Sequence, residues 1–195
     1  MAKKKKSSKT TWIVGGFIIF VMVGSGFGAM FGSYTSSRKK VRYNDFVFVP
    51  IDDRGYRVKI DDRIYDFEYT PDQIKDLEIE KSITDQLRNT AEIDITYDYE
   101  SDAAQMIALL SFQLKEGYLR DLIYVKTGAD KENKYNHSII TCSDSTDLIP
   151  VIYFKLGNET RITKEDKCII LEASKINDFE VLRDRLVYSI LGVMD

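Results

Sequence analysis

The stretch Glu92–Lys126, EIDITYDYESDAAQMIALLSFQLKEGYLRDLIYVK, decides the class of fold. Its first residues, Glu92–Asp98, alternate apolar and polar side chains and are rich in β-branched residues, the period-2 pattern of a strand. From about Asp102 to Glu116 the spacing changes to that of a helix, with apolar residues spread beyond one narrow stripe, and Gly117 supplies the stop. Asp121–Lys126 reads as a strand again. Strand, helix and strand within 35 residues form a βαβ unit, which favours a parallel strand pair.

Outward from this unit the pattern stays mixed. Towards the N-terminus, DFVFVP (Asp45–Pro50) opens as a strand, and Arg57–Ile60 and Ile64–Tyr69 pair as a hairpin around the turn Asp61-Asp62. Thr70-Pro71-Asp72-Gln73 has Thr at the N-cap, Pro at N1 and Gln at N3, so a short helix is expected there. Ser82 and Asp85 mark a second short helix ending near Asn89. Towards the C-terminus, TGADKENKYNH (Thr127–His137) is a polar loop, strands are expected over Ser138–Cys142, Pro150–Leu156 and Lys167–Glu172, and GNET (Gly157–Thr160) is a turn. Asn177 and Glu180 form a capping-box signature, after which Phe179, Leu182, Leu186, Val187 and Ile190 repeat at helical spacing. The fold class is therefore α/β or α+β: one mixed-sheet globular domain with several helices over residues 45–195, preceded by a single transmembrane helix.

Charge divides the chain at the same place. Residues 1–44 carry nine Lys or Arg and no acid, so residues 45–195 carry the other 19 basic and all 31 acidic side chains, a net of −12. A body that acidic repels phosphate backbones, and no nucleic-acid-reading motif is present, so nucleic acid is not an expected partner. The basic tail, residues 1–9, precedes 28 uncharged residues, Thr10–Ser37, enough to cross a hydrocarbon core that needs about 20. Trp12 and Tyr34 stand where interfacial aromatic belts form. Gly26-Phe27-Gly28 loosely resembles a signal-peptide cleavage pattern, but the apolar run continues past it and exceeds the usual apolar core of about 7–15 residues, so an uncleaved anchor is the preferred reading. Residues 38–44 form a basic juxtamembrane linker.

Inside the span, Gly24, Gly28 and Gly32 make two overlapping GxxxG steps, with Ser25, Ala29 and Ser33 beside them at the same spacing. Positions four apart share a helix face, so these residues form a groove for close approach of a second helix, from another copy or another protein, within membrane lipids.

Chemistry-bearing motifs are sparse. There is no G-x-x-x-x-G-K-[ST], no G-x-G-x-x-G after a strand and no D-x-[DN]-x-[DN]-G loop. One His and two distant Cys do not make a zinc set. No cofactor, metal or catalytic residue is therefore assigned. The stretch IITCSDSTDLIPVIYF (Ile139–Phe154) looks like a reactive site, but on a continuous strand His137 and Cys142 would face opposite ways, about 16 Å apart. Ser143, Asp144, Ser145 and Thr146 read as turn formers.

Cys142 and Cys168 are instead expected to pair as a disulfide, which requires an oxidising compartment. Asn136-His137-Ser138 and Asn158-Glu159-Thr160 are N-x-[ST] sequons in loop segments, so Asn136 and Asn158 are candidate N-glycosylation sites. Five Lys before the span and four Lys/Arg after it lean only slightly towards N-terminus in. The cysteines and sequons favour a body outside. The expected function is structural or interactive: a single-pass, membrane-anchored component of a membrane or cell-envelope assembly. The alternatives are a tethered enzyme or ligand-binding domain, and an assembly factor with its body in the cytoplasm.

Overall fold

The computed structural model describes residues 39–51 and 55–194. The expected transmembrane segment and its small-residue groove lie outside them. Among the described residues no helix is long and apolar enough to cross a membrane.

Among the described residues, nine strands form two sheets. The first is an antiparallel meander of β1 (Val41–Tyr43), β2 (Phe46–Ile51), β3 (Gly55–Ile60) and β4 (Arg63–Phe67), in that spatial order. Its tight turns use Asn44 and Asp61 at positive φ, 49° and 52°, a conformation that Asn and Asp tolerate better than bulkier residues. The hairpin around Asp61-Asp62 is thus as expected, whereas β1 arises from the stretch read as a linker.

The second sheet is mixed, in the order β6-β5-β7-β9-β8, built from β5 (Glu92–Tyr97), β6 (Tyr124–Ala129), β7 (Val151–Leu156), β8 (Arg161–Glu165) and β9 (Cys168–Ala173). β5 pairs in parallel with β6 and β7, β7 in parallel with β9, and β8 closes the edge antiparallel to β9. The βαβ unit is confirmed: α2 (Ala104–Gln113) connects β5 to β6 and runs on into one π-helical turn, Leu114–Tyr118. α1 (Lys81–Arg88) and α3 (Asp178–Ile190) complete the helices. The single mixed sheet expected from sequence therefore resolves into two sheets with three helices.

Strand alternation gives the second sheet two different faces. Ile93, Ile95, Tyr97, Ile152, Phe154, Ile169, Leu171 and Ala173 belong to the main core, which they share with the helices and the first sheet. The opposite face carries Val151, Cys168 and Ile170, which pack with Ile140 and Tyr153 in a separate small cluster. Among the described residues no helix packs in this cluster. The face is covered by a strap, residues 138–149, that leaves β6 through a single parallel bridge, Ala129 to Ile139. The strap then crosses β5, where the Thr96 hydroxyl donates to the Ile140 carbonyl at 2.6 Å.

The expected strand Ser138–Cys142 is corrected here. Only Ile139 makes a bridge, and Cys142–Asp144 is a 3-10 turn whose N-cap, Thr141, receives and gives back hydrogen bonds with Asp144. The short helix expected after Thr70 is likewise a single 3-10 turn, Pro71–Gln73, though its capping box is present.

Side chains from α3 and the π-turn tie the first sheet to the rest. Asp184, fully buried, accepts from the Glu68 and Tyr69 amides at 2.9 and 3.0 Å through one oxygen, and from Arg183 Nε and Nη2 at 2.9 and 2.7 Å through the other. Tyr188 donates to the Tyr69 carbonyl at 2.5 Å, and the Tyr118 hydroxyl donates to the Asp66 carbonyl on the outer edge of β4. The capping box expected at Asn177 and Glu180 does not form. Asn177 makes no side-chain cap, and Asp178 instead accepts from Thr160 and Ser174 at 2.6 and 2.8 Å.

Candidate binding site at the carboxyl edge of the parallel sheet

In an open parallel sheet, ligands bind beyond the carboxyl ends of the strands, where consecutive connections leave a strand in opposite directions. β5 is that strand here, flanked by β6 on one side and β7 on the other. Beyond its end lies a cavity of about 450 Å³ lined by Tyr97, Tyr99, Tyr135 and His137, and by Ser101, Asp102, Ala104, Gln105 and Ala108 of α2 and its approach.

The aromatic wall is a column. Tyr97 and Tyr99 stack at 4.4 Å, and Tyr99 and His137 stack at 4.8 Å, so both faces of Tyr99 are occupied. Tyr135 is tilted against both, at 6.3 Å from Tyr99 and 6.1 Å from His137. The Lys134 ammonium lies over the Tyr135 ring, 5.1 Å from its centroid, so that ring already holds a cation. The lining brings aromatic rings, hydroxyls and the Gln105 amide to one cavity. The loop holds its shape through Asn133, whose Oδ1 accepts from the Tyr135 and His137 amides at 3.1 and 3.2 Å.

Charges rim the cavity. Asp98 accepts from the Glu100 amide at 2.8 Å and from Lys131 Nζ at 3.0 Å, and the amide bond first, then the ammonium, hold its carboxyl below the usual range. Lys131 also reaches Glu100 at 3.2 Å. One strand over, Tyr153 donates to Asp130 Oδ2 at 2.9 Å; burial and that carboxylate push the Tyr153 phenol up to about 12. Asp130 Oδ1 is buried with no hydrogen-bond partner among the described residues.

Nothing in this arrangement assembles a nucleophile. Among the described residues no hydrogen bond joins the His137 ring to a hydroxyl or thiol, and no group of three or more His, Cys, Asp or Glu is placed to hold a metal ion. Cys142 and Cys168 form a disulfide, with Cα atoms 5.1 Å apart, that fastens the strap to the start of β9. Asn136 and Asn158 are both exposed. Asn136 stands beside the cavity with φ at 59°, and Asn158 follows the carboxyl end of β7, where its amide donates to Glu172. Both sequons therefore lie at the carboxyl edge.

Sequence reasoning did not mark Tyr97, Tyr99 and Tyr135 as a site. The available signal was aromatic residues at a parallel strand's end, in TYDY (Thr96–Tyr99), and again in KYNH (Lys134–His137). No family model, curated protein or solved structure matches the chain.

Proposed function

We propose that the folded domain is held on the outer side of a membrane by the apolar segment Thr10–Ser37 and works there by binding, as part of a membrane or cell-envelope assembly, with the aromatic cavity at the carboxyl edge as its contact site. The observation that carries this reading is the Cys142–Cys168 disulfide, because such bonds persist in oxidising compartments and are rare in reducing ones. Exposure of Asn136 and Asn158 agrees with it, since each could accept a glycan without disturbing the core. Gly24, Gly28 and Gly32, with Ser25 and Ala29, would seat the partner helix in lipid.

The cavity supports a second reading, a tethered domain that binds a small ligand, because it occupies the position where α/β proteins usually hold one. Protease added outside sealed, right-side-out vesicles tests the placement. Loss of the domain with survival of a short membrane-embedded fragment is expected, and full protection overturns it. Gly28→Leu is expected to weaken self-association or partner copurification, and an unchanged pattern removes the groove from the account.

A further inference from the structure

The two sulfurs of the Cys142–Cys168 bond are unequal. Cys142 is exposed, on the 3-10 turn of the strap. Cys168 is 1% exposed, packed in the small cluster with Ile140, Val151 and Ile170, and opens a strand paired on both sides. Disulfide exchange is an in-line displacement: the attacking thiolate approaches one sulfur from the side opposite the other. The Cys142 sulfur belongs to an exposed residue that a thiolate in solution can reach, whereas Cys168 is packed among Ile140, Val151 and Ile170.

We propose that Cys142 is a thiol-exchange site, at which an external thiol, of a dithiol protein or a small molecule, forms a mixed disulfide and so unfastens the strap over residues 138–149. The donor thiolate attacks Cys142 Sγ. The Cys142–Cys168 bond breaks, a donor–Cys142 bond forms, and Cys168 leaves with the electron pair and takes a proton. A second thiol of the donor then attacks the donor's own sulfur and releases Cys142, which is protonated in turn. The donor departs as a disulfide, two electrons having passed to the protein.

What lies beneath the strap gives the exchange a consequence. Across this face Lys126, Asp94 and Val151 are register partners on β6, β5 and β7, and Cys168 packs with Val151 in the small cluster. Asp94 is 7% exposed, and its Oδ1 is buried without a hydrogen-bond partner among the described residues. Closing the strap therefore keeps one carboxylate oxygen dry and unpaired, a cost that opening relieves. Without the disulfide the strap keeps its hydrogen bonds: Thr96 to the Ile140 carbonyl, the Ile140 amide to Ala129, Gln86 to the Thr146 carbonyl, Thr90 to the Leu148 carbonyl, the exposed Lys167–Asp147 pair, and Ser145, which donates to the Lys167 carbonyl and accepts from the Val151 amide. The proposal does not depend on which side of the membrane holds the domain.

Glutathione is the probe. Full-length protein in detergent is exposed to it under native conditions, quenched with N-ethylmaleimide and read by peptide mass spectrometry. Glutathione on Cys142 and maleimide on Cys168 is expected, by at least tenfold over the reverse pattern. Equal or reversed occupancy overturns the proposal, as does exchange only under conditions that unfold the whole domain. In the single variants, Cys142 of Cys168→Ser should react at least tenfold faster than Cys168 of Cys142→Ser. Hydrogen exchange after full reduction separates a clasp from a plain staple. Faster exchange confined to residues 138–149 supports the clasp, whereas protection lost together across β5, β7 and β9, or unchanged everywhere, rules it out.

Discussion

At Gly128 even a methyl group is too much. A Cβ there would lie 2.6 Å from the Ser138 carbonyl oxygen and 2.7 Å from the Ile140 side chain, because the strap descends onto β6 at that point. Gly128→Ala is therefore expected to cost about 1–3 kcal/mol in denaturant unfolding, as overpacking does. Asp94 makes the opposite prediction. Burial first, with Glu92 and Asp144 adding repulsion, raises its carboxyl above the ordinary value, while Lys126 on the next strand only partly opposes the shift. A raised native value means that the folded state binds the proton more tightly than the unfolded one, so this residue's contribution to stability falls as pH rises from about 4 through the raised native value. Asp94→Asn should then raise the melting temperature at neutral pH, with the gain fading below pH 4 or so; an equal effect at both pH values would show that charge is not the cause. Neither residue was legible in the sequence. A glycine near a strand's end and an aspartate inside an alternating strand look ordinary until the strap is placed over them.

At the scale of elements, the apolar spacing places α3 but says nothing of its polar residues. Arg183, Asp184 and Arg185 are all buried, because Asp184 meets the Glu68 and Tyr69 amides and the Arg183 guanidinium, and Arg185 reaches the Leu77 carbonyl, on a helix surface that an amphipathic reading assigns to solvent. Asp184 joins that helix to Glu68 and Tyr69, so Asp184→Ala removes one half of a buried pair and leaves Arg183 uncompensated. A loss of about 3–5 kcal/mol is expected in denaturant unfolding; a loss below 1 kcal/mol would mean that the sheets are held by apolar packing alone. The βαβ unit was legible because its periods change cleanly. β8 was not, since only Ile162 of Arg161–Glu165 is buried and an edge strand needs little apolar content. Ser138–Cys142 failed for the converse reason: β-branched composition suits a strand, but the segment meets β6 at one bridge and then turns across the sheet face.

For the molecule as a whole, a parallel pair, a hairpin, an acidic body and the Cys142–Cys168 pairing could be read from sequence. The division into two sheets could not, because no local pattern says which strands pair. The cavity was hidden for a related reason: its wall joins residues 97–108 to residues 135–137, which meet only after β6 returns beside β5. The disulfide connects these scales, since it fastens the strap, covers the second face and supports an outward placement. Labelling intact cells with a membrane-impermeant maleimide, before and after an impermeant reductant, tests that placement most directly. The account expects no labelling before reduction and labelling afterwards, predominantly at Cys142. Thiols that react without reductant, or that react only after the membrane is opened, would contradict it.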